Sequence, residues 1–301
     1  MYEQISSNIR KSWAMIAVFV VFVGFLGYIF GEVTRFGYGG VVVALGIAIA
    51  MSWTSYYYSD KIVLTMSRAR PVDKEEFPYL YNVIEGLAIA AGALTPKMYV
   101  IEDTAPNAFA TGRDPEHSAI AVTTGLLDKL NRVELEGVIA HEMSHIKNYD
   151  IRFATLAVVM VGVVTLLSDW LLRSFWWGGG RRRRNEGGGE FNAILMVVGL
   201  IMAILAPLIA QLMRLAFSRQ REFLADASGA MLTRYPEGLA NALEKLAADR
   251  EPLEVANKAT AHLYIVNPLK NLKGSMNNLF NTHPPMEERV ERLREMAFEA
   301  K

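Results

Sequence analysis

His141, Glu142 and His145 stand at the spacing H-E-x-x-H. On a helix, residues four apart lie on one face, a turn above one another. Two imidazoles so placed can share one zinc ion, and Glu142 projects beside them within reach of a water on the metal. The chemistry uses that layout. Zinc lowers the pKa of its bound water to about 7, and a carboxylate outside the coordination shell takes the proton as the water attacks a carbonyl. The competing reading is a packed helix whose histidines fall together by chance, since the chain has five His in all. The motif alone does not decide between the two.

The surrounding residues predict the helix that must carry it. Asn131 is a good N-cap, and Glu134 completes a capping box. Leu135, Val138, Ile139 and Ile146 form one apolar face at about 100° per residue. The helix ends near Tyr149 and Asp150. A catalytic zinc site also needs a third protein ligand and one open position. The chain has no Cys, so disulfides and thiolate sites are excluded and any metal must sit on His and carboxylate. A second helix starts around Ser218 and carries Arg219, Arg221, Glu222 and Asp226. Glu222 and Asp226 share one of its faces. Glu222 can complete the site, and Asp226 can accept the N–H of a ligating imidazole. On spacing alone, a solvated face with Arg219 paired to Glu222 accounts for the same residues equally well.

Composition points to a membrane. Apolar residues are 52% of 301 and charged residues 21%, with a mean hydropathy of +0.19. Basic and acidic side chains balance at 31 each, so nothing argues for a nucleic-acid surface. Residues 13–30 run without a charge for long enough to cross a hydrocarbon core. That run is long for a signal peptide, and no clear A-x-A cleavage site follows it. Residues 31–35 form a polar turn, and residues 36–53 are a second uncharged run ending in Tyr56, Tyr57 and Tyr58, which suit a membrane interface. The pair reads as a transmembrane hairpin. Arg10 and Lys11 before it, and Lys61, Arg68 and Arg70 after it, place the N-terminus and the following domain in the cytoplasm by the positive-inside rule.

Residues 71–131 read as a folded polar region: a helix over 75–91, strands over 97–101 and 119–123, and between them Pro106-Asn-Ala-Phe-Ala-Thr-Gly112, a short strand closed by glycine. That segment is either an ordinary edge strand or a rail for an extended peptide, and spacing favours the first. Residues 153–168, extendable to 177, and residues 191–213 are further apolar runs around a Gly/Arg loop at 178–189. They are a second spanning hairpin, or a buried or re-entrant one, because four consecutive Arg outside the cell would break the charge bias. The Arg run either binds acidic headgroups or is a solvated loop. Helices around 239–247 and 286–297 close the chain, and His262 reads as structural.

The combination of His141-Glu142-Met-Ser-His145, a hydrophobic hairpin, Arg221-Glu222-Phe-Leu-Ala-Asp226-Ala and a late Thr282-His283-Pro284-Pro285 resembles the M48 family of membrane zinc metallopeptidases, and within it the HtpX-type proteases. The resemblance runs along nearly the whole chain. It implies a mainly α membrane protein with a zincin-like α+β peptidase domain and a small sheet whose edge strand binds substrate. It implies one zinc ion on His141, His145 and Glu222, Glu142 as general base, and Asp226 orienting a ligand. Asn107, Ala108, Phe109 and Ala110 would bind substrate, and His283 would stabilise the oxyanion. The domains it suggests are an N-terminal hairpin (1–58), two parts of one peptidase domain (59–152 and 214–301) and the second hairpin between them (153–213). The expected activity is cleavage of misfolded membrane proteins at the bilayer. A maturation peptidase for prenylated proteins, or a metal-braced scaffold without activity, are the alternatives. An intact Glu142 speaks against the scaffold, because a structural site has no use for a general base.

Overall fold

Residues 2–33, 37–160, 219–256, 260–268 and 284–299 are described by the computed structural model. The apolar N-terminal sequence forms two long helices, α1 (Tyr2–Val33) and α2 (Tyr38–Met66), packed against each other. Within them, Ile5–Phe25 and Tyr38–Met66 are long and apolar enough to cross a membrane. Only 28% and 22% of these windows are buried in the protein, whereas a core helix would be mostly buried. Val21, Val42 and Trp53 point outward, a band of apolar surface that suits lipid and would be a liability in water.

Both helices are longer than their apolar runs. The polar residues before Trp13 contain no Gly or Pro, so nothing stops the helix from starting at Tyr2, and Asn8 and Ser12 are buried on its inner face. Likewise α2 continues past Trp53 to Met66. It ends where Arg68 adopts a left-handed conformation (φ 51°).

A four-stranded sheet follows, in the order β1 (Arg70–Pro71), β2 (Lys97–Ile101), β4 (Ser118–Thr123), β3 (Ala108–Gly112). β2 and β4 run parallel, while β3 is antiparallel to β4 with Phe109 opposite Ala121. Between β1 and β2 lies α3 (Pro78–Ala91). It starts later than the apolar spacing suggests, because a proline is tolerated in the first turn and not inside a helix. Gly92, in the left-handed region (φ 64°), ends it.

After the short α4 (Thr124–Lys129), helix α5 (Arg132–Lys147) passes through the middle of the domain. Leu135, Val138, Ile139 and Ile146 are fully buried, as their spacing predicts. So is most of the opposite face, because α5 touches α3, β3 and β4 on one side and α6 (Arg219–Thr233) and α7 (Pro236–Ala248) on the other. The C-terminal helix α8 (Met286–Glu299) lies against α6 and α7. A further helix starts at Asp150 and is buried from Ile151 to Phe153. The expected second hairpin lies outside the described residues beyond residue 160, as does its Gly/Arg loop.

Close helix approach depends on glycine at two points of α5. A Cβ on Gly137 would sit 2.6 Å from the backbone nitrogen of Leu239 in α7. A Cβ on Gly229 in α6 would sit 3.0 Å from the backbone nitrogen of His141. Gly137→Ala is therefore expected to destabilise the protein by about 1–3 kcal/mol, because backbone rather than a flexible side chain must yield. Thermal unfolding of the variant in detergent checks this, and an unchanged midpoint would contradict the packing.

Candidate metal centre

The site is assembled from the start of α5 onward. Asn131 Oδ1 accepts from the Glu134 amide at 3.1 Å, and Glu134 Oε2 accepts from the Asn131 amide at 2.9 Å, closing the capping box. Lys245 of α7 reaches the same Glu134 oxygen at 2.7 Å and pins the helix start. From there the helical repeat carries His141 and His145 to one side, with their rings edge to face and 4.7 Å apart. The glycine contact at Gly229 brings α6 onto α5 at His141, which puts Glu222 over both rings.

Three donor atoms converge. His141 Nε2 and His145 Nε2 are 3.2 Å apart. Glu222 Oε2 lies 3.9 Å from the first, and Oε1 lies 3.6 Å from the second. Donors on a tetrahedral zinc at its usual bond lengths are separated by about 3.3–3.5 Å. The cluster therefore fits a single zinc-sized ion with only small adjustment.

The far side of each imidazole is held by a carboxylate. His141 Nδ1 is 2.9 Å from Asp226 Oδ1, and His145 Nδ1 is 3.1 Å from Asp150 Oδ2. Each Nδ1–H donates to its carboxylate, which turns Nε2 of each ring towards the shared point, where its lone pair can bind a metal once that nitrogen carries no proton. Arg289 Nη2 also approaches His141 Nδ1, at 3.4 Å. A nitrogen that already donates to Asp226 cannot accept from a guanidinium, so this is a contact and not a hydrogen bond.

Arg289 itself is completely buried. Its Nε and Nη2 donate to the two oxygens of Asp226 at 2.8 and 2.6 Å, and Nη1 lies 3.7 Å from Glu222 and donates to the carbonyl of Ile265 at 3.3 Å. Charge-assisted bidentate pairs of this kind are stronger than neutral hydrogen bonds.

These neighbours set the protonation states. Burial pushes His141 below the ordinary histidine range. Burial also works against a charge on His145, but the Asp150 hydrogen bond and the charges of Glu222 and Asp150 outweigh it and raise its pKa to about 9. Glu142, buried, is pushed up to about 7 by desolvation, while His145, the Ala110 amide and Arg289 favour its ionised form. Asp226 stays below the usual carboxylate range despite burial, because Arg289 holds its charge.

Along β3 the main chain and side chains face different things. Asn107 is buried, and its side chain binds the carbonyl and amide of Val266 at 2.9 and 3.3 Å. Phe109 is buried against Tyr264, ring centroids 5.0 Å apart. The outer edge of the strand presents the backbone of Ala108, which accepts from Ile265 at 3.0 Å, and two residues on that of Ala110, beside Glu142. The expected site residues His141, Glu142, His145, Glu222, Asp226 and Ala110 thus come together. His283 lies outside the described residues. Two residues that the sequence reading does not single out also belong to the cluster, Asp150 and Arg289. The signal for Arg289 is a charge on the buried stripe of α8, in line with Val290 and Leu293.

Two outcomes are expected. Binding of a metal ion at this cluster must displace the proton that His145 holds up to about pH 9. Below that pH, one proton is released per ion bound and apparent affinity rises about tenfold per pH unit. Calorimetry in buffers of different ionisation enthalpy reads this directly, and pH-independent affinity would contradict it. Arg289→Ala leaves the buried Asp226 with the His141 hydrogen bond but without a counter-charge, which costs about 3–5 kcal/mol. The lower unfolding midpoint should persist in the presence of chelator, since the lost contact is not to the metal.

Comparison with known proteins follows the same lines. The description "Peptidase family M48" matches residues 74–297. A protease HtpX homolog of Dictyoglomus turgidum is 52% identical over 295 residues, covering 98% of this chain and 94% of the relative. The homolog of Caldanaerobacter subterraneus is 46% identical over 296 residues, 98% of each chain. That of Streptococcus pneumoniae is 47% identical over 300 residues, 98% of this chain and all of the relative (100%). Among solved structures, S. mikatae Ste24p shares the fold at a TM-score of 0.50 and 20% identity, over 97% of this chain and 67% of its own. With the family's region spanning α5, α6 and most of α8, and relatives of about half-identical sequence along nearly the full length, the chain belongs to peptidase family M48 and is a membrane-bound metalloprotease.

Proposed function

We propose that the protease is a zinc-dependent endopeptidase of a prokaryotic plasma membrane, with its catalytic domain in the cytoplasm and misfolded membrane proteins as its substrates. The observation that carries the zinc reading is the convergence of His141 Nε2, His145 Nε2 and Glu222 while both Nδ1 atoms are held by carboxylates. A pure His/carboxylate set with no thiolate suits zinc or a similar dication. A bound zinc would polarise the scissile carbonyl and make water a nucleophile at neutral pH.

Glu142 takes the proton of the attacking water and passes it to the leaving amine. Its environment supports that double role, because a base must gain and lose its proton near the working pH. Burial and the Glu222 charge place it there, while the Ala110 amide and Arg289 keep the ionised form accessible. Asp226 and Asp150 keep the imidazoles in the tautomer that presents Nε2. The substrate lies extended along the outer edge of β3. The Ala108 carbonyl is already engaged by Ile265 and the Ala110 amide by Glu142, so pairing to the peptide centres on the Ala110 carbonyl. Asn107 and Phe109 hold that edge in place from behind, and His283 is the residue assigned to the oxyanion.

Residues 59–152 and 214–301 form one peptidase domain, interrupted by the second hairpin. The cytoplasmic placement rests on the basic residues Lys61, Arg68 and Arg70 beside the exit of α2. The substrate class rests on the resemblance to HtpX-type proteases and on the two apolar helices that pack beside the site.

Glu142→Gln should retain one zinc per chain and lose cleavage of an unfolded membrane protein by about 10²–10⁴-fold. The same rate in the variant would rule out this role for Glu142.

A further inference from the structure

The metal site is braced by the membrane anchor. Asp150, which holds His145 through Oδ2, accepts at Oδ1 from the side-chain amide of Asn8 at 2.7 Å. The same amide nitrogen donates to the carbonyl of Asn148 at 2.8 Å. Asn8 stands on α1, about 140 residues away in sequence, and is 3% exposed. Both of its N–H groups are therefore used, and its orientation is unique.

The two groups it binds flank a sharp elbow. Asn148 is the C-cap of α5, Tyr149 adopts a left-handed conformation (φ 59°), and Asp150 starts the next helix. Asn8 ties the end of the ligand helix to the carboxylate that orients the ligand. Neighbouring contacts fix α1 there. The Arg152 guanidinium lies 5.2 Å from the Trp13 ring and 5.0 Å from the Tyr56 ring, joining α1 and α2 to the same segment. Arg221 of α6 approaches Asp150 Oδ1 at 3.6 Å, so the brace reaches both ligand-bearing helices.

We propose that Asn8 is a positioning residue for the metal centre: through Asp150 it sets the orientation of His145, so that the first membrane helix completes the site instead of merely tethering it. The proposal rests on the zinc reading above. Its physical content is that a carboxylate held at one oxygen presents the other to the imidazole in a fixed direction. Such outer contacts are worth about 10–100-fold in metal affinity.

The test uses the full chain in detergent micelles, with zinc affinity measured by competition against a chelating dye and the visible spectrum recorded after cobalt substitution. Asn8→Ala is expected to weaken zinc binding about tenfold and to alter the cobalt spectrum. Asn8→Asp, which sets a carboxylate against Asp150, should weaken it further. Phe19→Ala removes a buried side chain from the same helix without touching this chain of contacts. It should lower the unfolding temperature and leave affinity and spectrum unchanged. Wild-type affinity in Asn8→Ala, or an equal loss in Phe19→Ala, would overturn the proposal. Failure of the wild-type protein to bind zinc, or undiminished binding by Glu222→Ala, would instead overturn the zinc reading beneath it.

Discussion

His141 Nε2 and His145 Nε2 stand 3.2 Å apart and converge with Glu222 on one point. The contacts around them hold these three groups together inside the protein. Each ring is fixed from behind by a carboxylate, Asp226 for His141 and Asp150 for His145. Asp226 is buried, so its charge would be very costly without a partner. Arg289 supplies one, with two parallel hydrogen bonds from a fully buried guanidinium. The C-terminal helix α8 is thus bound to the centre by charge as well as by Val290 and Leu293. What looks like a three-residue site is an ordered set of charges that alternate in sign outward from the metal position.

Packing makes this possible. Gly229 lets the backbone of α6 touch α5 at His141 itself. A bulkier residue would lift Glu222 away from the rings. Gly137 does the same for α7. These two contacts have no chemistry of their own, yet the one at Gly229 sets how closely the two ligand-bearing helices approach, and the one at Gly137 seats α7 against α5. The sheet contributes from the other side. Its edge strand β3 presents backbone to Glu142 and turns Phe109 into a core shared with Tyr264.

Much of this was legible in the sequence where the signal was local. The capping box, the four apolar positions of α5, and the i,i+4 spacings of His141/His145 and Glu222/Asp226 all depend on one helix at a time. So did the strand segments, whose β-branched and small residues alternate between turns. The long-range partners were not legible. Asn8 meets Asp150, and Arg289 meets Asp226, only because the chain folds back over more than sixty residues in each case. The helical start of α1, ahead of its apolar run, was hidden for another reason. Its residues are polar, so they read as a tail until the fold brings Asp150 and the Asn148 carbonyl to Asn8. An arginine on the apolar stripe of α8 was the one readable sign of a distant acidic partner.

The central claim is that one zinc ion is held by two imidazoles and a carboxylate from α5 and α6. X-ray absorption at the zinc edge of the purified, metal-loaded protein tests it most directly. The account predicts one zinc per chain in a shell of nitrogen and oxygen scatterers at about 2.0–2.2 Å, with the outer-shell pattern of two imidazoles. Conversion of Glu222 to alanine should change that shell while keeping both imidazoles. A spectrum with fewer than two imidazoles, or one untouched by the loss of Glu222, would contradict it.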